Sequence, residues 1–125
     1  MKRIFISFAV EDRIFRDFLV GQAKNEYSPF EFVDMSVKKP WDSAWKTKCR
    51  TKIKGCDGMI TILTNNTKKA SGQLWEIMCA IEEGTPCIGM WGKSNERFAP
   101  SSLGIPHIET TEWTWKSISN WLKTI

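Results

Sequence analysis

No apolar run in this chain approaches the ~18 residues that a membrane span needs. The opening apolar stretch, Ile4 to Phe8, is short and is interrupted by Ser7, so it is a poor secretory core. A cytoplasmic location without membrane attachment is expected. Cysteine is sparse. Cys49, Cys56, Cys79 and Cys87 form no CxxC pair, and His107 is the single histidine. Structural zinc needs closely paired ligands, so no metal is expected and the thiols read as reduced side chains. A glycine-rich phosphate loop is missing, which argues against Rossmann-type dinucleotide binding. Internal repeats, low-complexity tracts and a clear linker are missing too. With 125 residues, one domain is expected. The net charge is +4, without a basic tail. Positive charge gathers instead at Lys38, Lys39, Lys46, Lys48, Arg50, Lys52 and Lys54. This cluster reads either as the solvated face of a helix or as a patch for a phosphorylated small molecule or nucleic acid. Of these, nucleic acid is the partner least expected.

What is present is a hydrophobic fraction of 42%, enough for a core, and seven tryptophans, which serve as core residues or as stacking surfaces for a ring-bearing ligand. Lys2 to Phe8 is a β-branched and aromatic run, read as a buried strand. Ile14, Phe15, Phe18 and Leu19 recur at helical spacing, giving a helix from about Asp12 to Lys24. Asn25 to Pro29 is turn material, and Phe30 to Asp34 alternates as a short strand. Pro40 makes Met35 to Asp42 a loop. Ser43 is the expected cap of a helix from Ala44 to Lys54 whose stripe is Trp45, Cys49 and Ile53, and Gly55 ends it. Gly58 to Thr64 has the nearly continuous apolar look of a strand covered on both faces. After the loop Asn65 to Ala70 come a helix from Ser71, a stop at Gly84, and a strand from Pro86 to Trp91. Gly92 to Gly104 reads as loop with a short helical turn, and Ile105 to Ile108 as a weak strand. A last helix spans Trp113 to Lys123, with Trp115, Ile118, Trp121 and Leu122 on one face.

The helix beginning at Ser71 is the most informative segment. Leu74, Ile77, Met78 and Ile81 follow the i, i+3, i+4, i+7 spacing of one buried stripe. Glu76 lies roughly opposite that stripe, at about 100° per residue. It is therefore expected outside the core, exposed in the first turns of the helix.

Strands alternating with helices across short connections point to a doubly wound, five-stranded parallel sheet of flavodoxin-like, three-layer α/β architecture, with strand order 2-1-3-4-5. Such folds bind ligands outside the carboxyl ends of their strands. The loops expected there are Ala9 to Asp12, Met35 to Asp42, Thr64 to Ala70 and Gly92 to Pro100, and Glu76 follows the third.

The opening Lys2 to Phe8, with Asp12 shortly after, resembles the first strand and loop of TIR domains. More narrowly, Trp75 to Gly89 resembles the glutamate helix and next strand of the TIR-like proteins of the Thoeris antiphage system and of related small flavodoxin-like proteins. The resemblance covers about Lys2 to Trp91. It implies an enzyme that cleaves the nicotinamide–ribose bond of NAD, taken as substrate with no further cofactor. Members of this kind either hydrolyse NAD or cyclise or rearrange the ADP-ribose part, and the Thoeris branch implies the second course, a cyclic signal nucleotide that acts on a separate effector. The family's catalytic glutamate matches Glu76. A carboxylate there stabilises the oxocarbenium-like ribose left when nicotinamide departs. Phe8, Trp41 and Trp75 are candidates for an aromatic slot. Ser36, Lys38 and Lys39 are candidate donors to the adenosine and pyrophosphate. Ala9, Asp12 and Asp34 complete the expected substrate-binding rim, and self-association through TIR surfaces is expected.

Each residue also has a plainer reading. Helix dipoles favour a glutamate like Glu76 near a helix start. Asp12 suits a first helical turn, Asp34 a turn at a strand end, Trp41 a packing anchor, and His107 a surface position. A non-enzymatic interaction module is the alternative function, since Trp-rich loops also anchor interfaces. A phosphoacceptor receiver shares the architecture, but Leu63-Thr64-Asn65 lacks the aspartate it needs.

Overall fold

The computed structural model describes residues 2–27 and 30–125. Five strands, β1 (Lys2–Ser7), β2 (Phe30–Val33), β3 (Gly58–Leu63), β4 (Cys87–Trp91) and β5 (Glu109–Thr111), form one sheet in the order β2-β1-β3-β4-β5. Every neighbouring pair is parallel. The helices are α1 (Arg13–Asn25), α2 (Ser43–Lys54), α3 (Ser71–Glu82) and α4 (Trp115–Leu122). This is the doubly wound architecture expected from the alternation of patterns.

Successive strand side chains point to opposite faces, and the central strands are apolar on both. Ile4 and Ile6 of β1 join Ile60 and Ile62 of β3, Leu19 of α1, and Ile118 and Leu122 of α4 in one layer. Phe5 and Met59 join Trp45, Cys49 and Ile53 of α2 and Cys79 and Ala80 of α3 in the other. Fully burying one such aliphatic or aromatic side chain is worth roughly 1.5–3 kcal/mol. On the α2–α3 face two positions are polar, Ser7 and Thr61, and both are completely buried. These two positions shape the site.

Element ends follow local chemistry, with some departures from expectation. The cap of α2 is Asp42, which accepts a hydrogen bond from the Trp45 N–H at 3.0 Å, and Ser43 is already helical. An aspartate in extended backbone satisfies one of the free N–H groups of the first turn. Gly55 ends α2, and Gly84 follows α3 at φ +69°, a left-handed position that glycine adopts without a Cβ penalty. The last strand lies beyond Ile105 to Ile108, because Pro106 has no N–H to give a ladder. Thr114 caps α4, so Trp113 stays outside it. In α1 the buried residues are Leu19 and Ala23, whereas Ile14 and Phe18 are each 58% exposed. The helical spacing was right there, but the core takes only one edge of the apolar face. The turn expected at Asn25 to Pro29 ends at Ser28 and Pro29, outside the described residues. Among the described residues, no helix is long and apolar enough to cross a membrane.

Candidate functional site

The first turns of α3 lie at the carboxyl end of β1. The buried face of this helix is Gln73, Glu76, Ile77 and Ala80, with Gly72 and Cys79 beside it. The spacing is the expected i, i+3, i+4, i+7, but it starts one residue earlier than the Leu74 stripe. Glu76 is therefore not exposed. It is completely buried. The strands beneath make this possible. The Gln73 amide donates to Thr61 Oγ1 at 2.9 Å and to the Ile62 carbonyl at 2.7 Å. Ser7 Oγ donates to Glu76 Oε1 at 3.0 Å. Polar strand residues face polar helix residues, so each finds a partner, as buried polar groups must.

A lysine from the loop between β2 and α2 completes the pairing. Lys38 Nζ donates to Glu76 Oε1 at 2.9 Å and to Oε2 at 2.7 Å. The two side chains are 7% and 0% exposed. The ammonium also lies 4.3 Å from the centroid of the Phe8 ring, a cation–π distance. Cys49 Sγ approaches Glu76 Oε2 at 3.9 Å. Burial pushes the Glu76 carboxyl up to about 7, against the Lys38 charge and the hydrogen bonds from Lys38 and Ser7, which pull it down. The Cys49 thiol is pushed up by burial and then by Glu76, so it is a neutral neighbour.

Above this pair is a cleft of about 220 Å³, lined by Ala9, Val10, Lys38, Trp41, Lys69 and the first turn of α3. A larger cleft of about 660 Å³ lies beyond β4, among Phe15, Phe18, Trp91 and Trp113. Its carboxylate, Glu112, is exposed and paired with Arg97 at 3.4 Å. A buried, hydrogen-bonded carboxylate at a strand's carboxyl end is the stronger chemical feature, so the smaller cleft is the candidate site.

Residues 5–97 match the family model described as Thoeris protein ThsB, TIR-like domain. The chain belongs to this family. It is a TIR-like protein of antiphage defence. None of the curated proteins matches it. The family match includes β4 and all of α3, while β5 and α4 lie beyond it.

The other expected site residues of this TIR-like chain are distributed unevenly. Ala9 and Trp41 line the cleft, and Trp41 is 76% exposed. Phe8 is completely buried, so it is a wall under the Lys38 ammonium and not an open slot. Asp12 is buried and accepts from Thr64 Oγ1 and from Asn66 Nδ2, the latter at 2.9 Å. It ties the loop after β1 to the loop after β3. Asp34 pairs with Arg16 at 3.2 Å. Ser36 is exposed, and its carbonyl accepts from Arg13 at 3.2 Å. Trp75 is not brought into the cleft. It packs edge-on against Trp45 at 5.4 Å and under Arg50 at 5.5 Å, facing α2, because one helical step turns it about 100° from Glu76. The basic cluster is partly neutralised from within: Lys38 pairs with Glu76, and Arg50 with Glu83 at 2.6 Å. Sequence reasoning missed Ser7, Gly72 and Gln73. The available signal was a serine and a threonine at inward positions of otherwise apolar strands.

Proposed function

We propose that this TIR-like chain cleaves the nicotinamide–ribose bond of NAD, with Glu76 as its catalytic carboxylate, and converts the ADP-ribosyl part into a cyclic signal nucleotide for a separate effector. The observation that carries the reading is the Glu76 carboxylate, buried at the carboxyl end of β1 and held there by Ser7. When the C1′–N bond breaks, the electron pair leaves with nicotinamide and the positive charge stays on the ribose. A carboxylate fixed in a site poor in water stabilises that charge more than the neutral ground state, which lowers the barrier. The ribosyl cation is then taken by water, or by a nucleophile of the same ADP-ribose that loses its proton. Exclusion of water favours the second course. Trp41, exposed at the cleft edge, offers a ring face to a base, and Lys69 offers a charge to phosphate.

Membership of the Thoeris family supports the defence role. A second reading, a non-enzymatic interaction module, draws on the closure of Glu76 by Lys38 and on the exposed Val10, Ile14 and Phe18, spaced four residues apart. We include self-association through that stripe in the proposal. The test is incubation with NAD, with and without phage lysate, followed by mass spectrometry of the nucleotides. Glu76→Gln keeps the shape and removes the charge, and it should lower turnover by about 10²-fold or more. Near-normal turnover by a folded Glu76→Gln protein would remove Glu76 from the chemistry.

A further inference from the structure

We infer that Lys38 is the resting occupant of a single cation seat, and that the loop between β2 and α2 stays shut until a cationic pyridinium glycoside displaces it. The inference rests on the NAD reading above and adds to it a means of control. Three contacts define the seat. Both oxygens of Glu76 receive the Lys38 ammonium, at 2.9 and 2.7 Å, and the Phe8 ring lies 4.3 Å from it. A carboxylate and an aromatic face are what a positively charged ring or ribosyl centre also requires. One negative charge answers one positive charge, so a second cation would meet Lys38 at close range without a counter-charge.

The lysine stem is fitted as closely as its head. A Cβ at Gly72 would come within 2.6 Å of Lys38 Cβ, so the first turn of α3 admits the stem only because residue 72 is glycine. The neighbouring residue is fastened as well, since the Trp45 indole donates to the Val37 carbonyl at 2.7 Å. Met35 anchors the start of the loop in the core, Val37 is 57% exposed, and Lys38 is the charged side chain that the loop sends inward. The cleft of about 220 Å³ is also smaller than the ~300 Å³ at which small-molecule sites usually begin. A dinucleotide reaches Glu76 only after the loop moves.

Hydrogen exchange of the amides of residues 36–42 tests the closure directly. Lys38→Met and Glu76→Gln should each speed that exchange about tenfold or more, and the double variant should exceed neither, because both remove the same contact. Loss of the Lys38 charge also raises the Glu76 value, so turnover is compared at alkaline pH, where Glu76 is ionised in both proteins and Lys38→Met should turn over NAD faster than the native chain at equal concentration. Unchanged exchange in Lys38→Met overturns the inference. So does slower turnover by that variant, which would make the lysine a requirement of the reaction. Gly72→Ala keeps both charges and displaces the stem, so it decides the matter if Lys38→Met does not fold. Faster exchange supports the closure, and native exchange overturns it. Faster exchange with no NAD turnover by any variant supports the closure and counts against the NAD reading.

Discussion

At the scale of the residue, Glu76 carries a proton problem. Its ordinary value of 4.5 is raised to about 7 in the folded chain by burial. Between those values the folded chain holds a proton that the unfolded chain has released, so stability falls as pH rises across that window. Glu76→Gln has no such proton. Its melting temperature should therefore vary less than the native one between pH 4.5 and 7. Equal slopes for the two proteins would mean that Glu76 ionises as freely as a surface carboxylate. Turnover follows the ionised form, so NAD cleavage should rise with pH through about 7 in the native chain. The burial behind this was hidden in the sequence. Periodicity counts apolar residues, and it chose Leu74, Ile77, Met78 and Ile81 over a face that contains Gln73 and Glu76. The winning factor was tertiary. Ser7 and Thr61 offered hydrogen bonds from the sheet, and a satisfied polar face can be buried in place of an apolar one.

At the scale of the element, the loop between β2 and α2 and the first turn of α2 hold two tryptophans in opposite environments. Trp41 is 76% exposed, while Trp45 is 7% exposed and hydrogen-bonded to the loop it follows. Trp41→Ala should change stability by no more than about 0.5 kcal/mol, and should weaken nucleotide binding or assembly. Trp45→Ala should cost about 3–5 kcal/mol. Thermal melts with NAD binding measured alongside separate the two. A large loss of stability in Trp41→Ala with unchanged NAD affinity would make it a packing anchor. The strand order was legible because the connections are short, strands alternate with helices, and the central strands are apolar on both faces, as in a covered parallel sheet. The placement of Lys38 was not legible. A lysine in a polar loop looks the same whether it points to water or into the protein, and only the Gly72 gap and the Glu76 charge decide which.

At the scale of the whole molecule, Val10 just before α1 and Ile14 and Phe18 on it are large apolar residues left exposed. Phe18→Asp should reduce self-association in sedimentation velocity, with a melting temperature close to native because an exposed ring adds little to the core. Unaltered sedimentation would place the assembly surface elsewhere. The helical spacing of Ile14, Phe15, Phe18 and Leu19 located the helix, but spacing alone does not say how wide a strip of α1 the sheet covers. Leu19 of α1 shares its layer with Ile118 and Leu122 of α4, while Ile14 and Phe18 stay outside it.

The two rims of the sheet have a consequence for storage. At one end β5 is only three residues long and begins with the exposed Glu109. At the other, β2 is four residues long and carries Glu31, paired with Arg3 at 3.4 Å. Short, charged margins are poor templates for a stranger's strand. A protein of antiphage defence has to stay folded until it is needed. Edges finished in this way make strand-to-strand pairing between copies unfavourable while the chain waits.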